Sequence, residues 1–205
     1  MPTPMPTMTP SPTTAADAAT SRDDLPELAT DRIRLRGHRE NDLDDLYAVH
    51  ADPRVMRYWS FPAWTERAQA QARLAGAIAG RDAQRLLCWA IAGRDDDRLI
   101  GGVTLFAIDR DQGRAEIGYS LHADHWGRGL AREALQLALA HAFDALGLRR
   151  IEADIDPRNS ASCVLAERLG FVREGLLRER WCVADELQDS ALYGLLARDW
   201  RARQA

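Results

Sequence analysis

The chain has 205 residues, 46% of them hydrophobic and 28% charged, which is the composition of one ordinary globular domain with a tail. Its formal net charge of −4 excludes a broad basic face for nucleic-acid phosphates, and all 27 basic side chains are Arg, which biased composition explains better than 27 phosphate sites. Cys88, Cys163 and Cys182 lack CxxC spacing and so form neither a disulfide framework nor a zinc site, and there is no basic-plus-apolar leader and no apolar run of about 18 residues. The reading is cytoplasmic, with no membrane partner and no nucleic acid.

Residues 1–24 hold five of the nine prolines among Thr, Ser and Ala. Such a segment buries too little to offset its ordering entropy, so it reads as a disordered extension, with Met5 and Met8 as alternative starts and the folded domain over 25–205. Arg32 to Arg36 alternates like a half-buried strand. Asn41 caps an expected helix that carries Leu43, Leu46, Tyr47 and His50 and ends before Pro53, and a second helix is expected from Thr65 to Ala79, stopped by Gly80.

Three strands follow, over 86–92, 99–108 and 114–121, joined by short polar links that imply antiparallel hairpins. From Gly129 the period changes: Leu135, Ala138, Leu139, Ala142, Phe143 and Leu146 recur at helical spacing until Gly147. A strand over 150–156, a helix over 160–169 stopped by Gly170, and two late strands around 176–183 and 189–196 complete an α/β pattern without internal repeats.

The chemistry concentrates at Trp126-Gly127-Arg128-Gly129-Leu130-Ala131. A helix start exposes unpaired N–H groups and a partial positive charge, glycines let a diphosphate approach the backbone, and Arg128 and Arg132 add charge-assisted contacts. Alone, the glycine pair also fits a plain turn. The full GxGxxG of an early βαβ unit is missing, as is the GK[ST] of a P-loop.

Glu116-Ile117-Gly118-Tyr119-Ser120-Leu121 followed by His125-Trp126-Gly127-Arg128-Gly129-Leu130-Ala131-Arg132-Glu133-Ala134 resembles the central motif of GNAT acetyltransferases, in particular their RimJ/RimL branch. Leu28 to Arg36, Asp52 to Tyr58, and Asn159 to Ser162 running to Leu169-Gly170-Phe171 resemble the same branch, as does Trp126, so the likeness spans residues 28–200. The resemblance implies a mixed, mostly antiparallel twisted sheet of about seven strands, splayed between strands 4 and 5, with about four flanking helices. It implies transfer of acetyl from acetyl-CoA, without a metal, to a primary amine: a protein N-terminus, as on ribosomal proteins, or a small molecule. A non-catalytic acyl-CoA-binding regulatory module is the competing class, and both monomer and homodimer stay open.

The resemblance also assigns roles. Backbone groups of Tyr119, Ser120 and Leu121 would hold the pantetheine arm, with Trp126 to Arg132 and Asn159 completing cofactor binding. Glu116 is the candidate base, with a structural ion pair as the alternative; Ser162 is the candidate acid, and both it and Asn159 equally suit helix capping. The tyrosine acid common elsewhere in the family is replaced by Ala166, Cys163 reads as core, and the five histidines are scattered. Tyr58, Trp59, Phe61 and Trp64 form an aromatic cluster where such enzymes take their acceptor, with core packing as the alternative. Hence Tyr58, Trp59 and Trp64 are candidate acceptor-binding residues.

Overall fold

A computed structural model describes residues 25–79 and 86–204; the extension read over 1–24 and the stop at Gly80 lie outside the described residues. One sheet holds β1 (Leu28–Ala29), β2 (Ile33–Arg36), β3 (Leu87–Gly93), β4 (Leu99–Asp109), β5 (Arg114–Leu121), β6 (Arg150–Ile155), β7 (Val172–Val183) and β8 (Glu186–Leu196), in the order β1-β2-β3-β4-β5-β6-β8-β7. The helices are α1 (Leu43–Ala51), α2 (Pro53–Met56), α3 (Arg67–Ile78), α4 (Leu130–Ala140), α5 (Ser160–Leu169) and α6 (Ala197–Ala202).

The sheet has one strand more than the sequence reading counts, because β1 is two residues long and shows no alternation. The splay expected between strands 4 and 5 therefore falls between β5 and β6, the same two segments. Likewise α2 and α6, four and six residues long, are too short to display a 3.6-residue period, so six helices replace about four. Asn41 is not the cap of α1: it lies in a 3₁₀ turn over Glu40–Asp42, and the helix begins at Leu43. The second helix begins at Arg67, where Glu66 and Gln69 form a capping box, rather than at Thr65. The late strands start earlier than expected, at Val172 and Glu186, because β7 is an exposed edge strand whose sequence has no buried face to announce it.

Alternation along β3 divides the interior. Leu87, Trp89 and Ile91 face the large core built from α4, α5 and the far sheet, while Ala90 faces a smaller cluster with Leu46, Val49, Val55, Met56 and Leu74 of α1–α3. The helical run after Gly129 is continuous to Ala145, but its last turn, His141–Ala145, is a π-turn that seats Phe143 fully inside.

Arg36 ties the smaller layer to the sheet. Its guanidinium, 2% exposed, donates two bonds of 2.8 Å to the Asp42 carboxylate, one of 3.0 Å to Asp97, and two to the carbonyls of Gly37 and Asp97, so all its N–H groups are used. Burial pushes the Asp42 carboxyl up, but Arg36 and the Arg39 amide outweigh it and hold Asp42 below the ordinary carboxylate range. Because the folded state favours the ionised form, this contribution is present at neutral pH and is lost as pH falls through the folded-state value. Asp42→Ala leaves a buried unpaired guanidinium and should lower the unfolding free energy by about 3–5 kcal/mol at neutral pH in urea titrations. The deficit should shrink under acid conditions, where the parent carboxyl is protonated as well.

Candidate active site

The sheet is antiparallel except where β5 runs parallel to β6, and that ladder has only three pairs, ending at Glu116↔Glu152. Beyond it β6 follows β8 through Ile155↔Ala191, while β5 follows β4 through Leu121↔Gly101. The strands part, and the β6-facing edge of β5 after Glu116 keeps unpaired backbone groups that can pair with an extended ligand. A close approach helps hold β5 to β4: a Cβ on Gly101 would lie 2.3 Å from the Ser120 carbonyl oxygen.

At the end of β5 the chain turns into α4 through two glycines with left-handed backbones, Gly127 at φ 72° and Gly129 at φ 78°. L-residues avoid that region, which is why glycine is needed twice. Gly129 is the N-cap and has no side chain to satisfy the first-turn amides, and Gly127, Arg128, Gly129 and Arg132 are exposed. Arg128 and Arg132 have no carboxylate partner among the described residues, so an anion here would meet free amides, the helix dipole and two free guanidinium groups. Leu130 and Ala131 face inward and anchor the turn, and Glu133 bonds Thr30 and Arg32, fastening the start of α4 to the β1–β2 edge.

Trp126 has a structural duty the sequence does not disclose. Its indole N–H donates to the Leu121 carbonyl at 2.8 Å while half its surface stays exposed. Of the backbone contacts expected from Tyr119, Ser120 and Leu121, the Leu121 carbonyl is thus already engaged.

Glu116 sits at the last pair before the strands part. Among the described residues it has no salt bridge and no hydrogen-bond partner, so the structural ion-pair alternative finds no support. Glu152 opposite is held by Arg150 at 2.7 Å and Arg114 at 3.6 Å, and Asp154 accepts from Ser190 and from the Trp181 indole. Burial first, then the charges of Glu152 and Asp154, push Glu116 above the ordinary carboxylate range against the pull of Arg114 and Arg180.

Asn159 caps α5, its side-chain oxygen accepting from the Ser162 amide at 3.1 Å. That bond leaves the Ser162 hydroxyl free to accept from the Tyr119 hydroxyl at 2.8 Å, a link that crosses the gap between β5 and α5. Burial pushes the Tyr119 phenol up, so it stays protonated and remains a donor. Tyr119 was expected to act through its backbone; the side-chain role escapes sequence reasoning because Ser162 lies 43 positions away. Cys163 packs against the large core.

Beside β5, on the face opposite α4, lies a cavity of about 370 Å³ lined by Gly102, Gly118, Tyr119 and Ser120 below and Trp59, Phe61 and Trp64 above. The Trp64 ring stacks on buried His50 with centroids 4.4 Å apart, so the aromatic cluster is at once core packing and cavity wall. Tyr58 does not join it; the Arg57 and Arg158 guanidinium groups lie 5.2 and 5.9 Å from its ring centroid, which removes it from the cavity lining. His122 and His125 sit in the loop before Trp126, the His122 ring accepting from the Asp124 amide. No group of His, Cys, Asp or Glu among the described residues is arranged to hold a metal, and no described helix is long and apolar enough to cross a membrane.

The chain and its fold are similar to known proteins. The acetyltransferase (GNAT) domain family matches residues 32–172. The chain is 36% identical over 173 residues, 84% of its length and 97% of the relative's, to the uncharacterized N-acetyltransferase p20 of Bacillus licheniformis. It is 35% identical over 95 residues, 46% of this chain and 53% of the relative, to the ribosomal-protein-serine acetyltransferase of Escherichia coli. A crystal structure of spermidine N-acetyltransferase from Vibrio cholerae in complex with CoA and spermine superposes with a TM-score of 0.74 over 84% of this chain and 99% of that one, at 23% identity, a likeness of fold.

Gly129→Val places a branched side chain at φ 78° on the exposed amide turn. It should abolish CoA binding in calorimetry while the folded core survives, as judged by the thermal transition; full-affinity binding would remove the anion site from this turn.

Proposed function

The chain belongs to the GNAT family and is an acyl-CoA-dependent N-acetyltransferase; from that premise we propose that its own residues carry a direct transfer, in a ternary complex, from acetyl-CoA to a primary amine. The amides from Gly127 to Arg132, with Arg128 and Arg132, hold the pyrophosphate, and the free edge of β5 at Tyr119 and Ser120 lines up the pantetheine arm. Asn159 orders the start of α5 beside it. Acetyl-CoA supplies the thioester. The amine forms an N–C bond to the acyl carbon as the C–S bond breaks, so one proton must leave the nitrogen and one must reach the sulfur.

Glu116 takes the amine proton. A half-buried carboxylate without an ion pair among the described residues, at the point where the strands part, is the observation that carries this reading, because its raised proton affinity makes it a better base than an ordinary carboxylate. Ser162 protonates the leaving sulfur, drawing on its bond from Tyr119. A thiol of pKa about 8–9 leaves without much assistance, so the acid matters less than the base. The acceptor is a peptide N-terminus or a small amine, entering the cavity under Trp59 and Trp64; relatives named as ribosomal-protein-serine and spermidine acetyltransferases support a protein or small-molecule acceptor.

Thiol release with acetyl-CoA across a panel of amines tests the proposal. Glu116→Gln should lower turnover by about 10²–10⁴-fold with CoA affinity unchanged, and it should erase an acid limb of the parent's rate profile that lies above the ordinary carboxylate range. The sign follows from the role: a base must be ionised, so the rate rises as pH climbs through its raised pKa. Ser162→Ala should cost about tenfold or less. An unchanged rate across pH in Glu116→Gln would make Glu116 structural, and CoA binding without turnover on any amine would return the chain to a binding module.

A further inference from the structure

The cavity beside β5 carries a charge pattern that bears on which amine it takes. Its floor is short of side chains, since Gly102 and Gly118 sit next to Thr104, and its roof is aromatic. Among the described residues that line it, none is acidic. At the end away from Glu116 stands Arg73 on α3, whose guanidinium has no carboxylate partner among the described residues and bonds only the Cys88 sulfur, at 3.7 Å. His38 lies against the same sulfur at 3.6 Å and also lines the cavity. Burial drives the His38 ring down to about 4 and lowers His50 as well, so both are neutral at pH 7 and, among the described lining residues, Arg73 supplies the formal charge.

Among the described residues a cationic end group in this space would meet aromatic faces but no carboxylate, and a guanidinium of the same sign. The acidic groups near the splay do not alter this: Glu152 and Asp154 are engaged on β6 by Arg150, Arg114, Ser190 and Trp181, and Glu116 faces the reacting amine under the reading above. We infer that the preferred acceptor is a primary amine with an apolar body and a carboxylate at its far end, Arg73 being the residue that selects it. The inference rests on the acetyltransferase reading and on Glu116 marking the amine end. Register sets the length. Cys88 pairs with Thr104, Thr104 with Gly118, and Gly118 stands two residues from Glu116 on the same face. At about 4.8 Å between strands and 3.4 Å per residue, the Cys88 and Glu116 backbones are roughly 12 Å apart, a span longer than any α-amino acid and suited to a medium-length ω-amino acid or a short peptide.

The experiment compares thiol release for aminohexanoate and aminooctanoate with that for the diamines and monoamines of the same chain lengths. The parent should favour the amino acids over the diamines by about tenfold or more in kcat/KM, equivalent to about 1.4 kcal/mol, with the difference in KM because Arg73 is remote from the reacting atoms. Arg73→Glu, on the exposed side of α3 and therefore tolerated by the fold, should invert that order, and Arg73→Gln should level it. Equal use of diamines by the parent, or an unchanged order in Arg73→Glu, would overturn the inference while leaving the acetyltransferase reading intact. Failure of every amine to release thiol would strike that reading instead, and the charge preference would then be read from binding. Octanoate should quench the tryptophan fluorescence of the CoA-loaded protein saturably and at least about tenfold more weakly in Arg73→Glu, whereas identical or absent quenching in both proteins would overturn the inference.

Discussion

The arrangement of the site depends on one interruption: the parallel pairing of β5 with β6 stops after Glu116↔Glu152. Each strand is held along its other edge by an antiparallel partner over its whole length, β5 by β4 and β6 by β8, so the two can part without either losing its place in the sheet. Glu152 is neutralised by Arg150 and Arg114, whereas Glu116 has no such partner among the described residues. The break thus creates an open strand edge and, at its vertex, a carboxylate with raised proton affinity.

Everything else keeps that wedge in shape. Trp126 fastens the loop to the end of β5, the left-handed glycines aim the α4 amides outward, and Glu133 fixes the helix start to Arg32 and Thr30. Across the gap the Tyr119–Ser162 bond joins β5 to the start of α5, where Asn159 orders the first turn. On the other face the fully bonded Arg36 fastens the segment leading into α1 to the β3–β4 turn, and α1, α3 and the aromatic segment together roof the cavity. The proposed cofactor groups and the proposed acceptor cavity therefore meet along β5 while being built by opposite layers of the protein.

Much of this is legible in the chain. Alternation locates the strands from Ile33 to Ile155, the period change at Gly129 locates α4, and the glycine pair points to an anion site for a local reason: backbone freedom and helix-end charge are written in a few consecutive residues. The elements missed are those without a period to read, the two-residue β1, the short α2 and α6, and the exposed half of β7. The start of α1 is hidden because the Asp42 carboxylate is drawn onto the distant Arg36 instead of capping the helix, whereas the Glu66–Gln69 capping box that starts α3 is local and differs from the expected start by two residues.

By itself the sequence determined the fold class and the family and proposed a seat for the pyrophosphate, all from short-range pattern and from motifs in a fixed order. Only the tertiary structure decided that Glu116 lacks an ion partner among the described residues, that Tyr119 reaches Ser162, that Tyr58 stands apart from Trp59 and Trp64, and that Arg73 is the one charged side chain among the described residues lining the cavity. These are contacts between segments tens of residues apart. Which charge finds a partner and which is left to face a ligand depends on how distant strands and helices pack, and no local period records it.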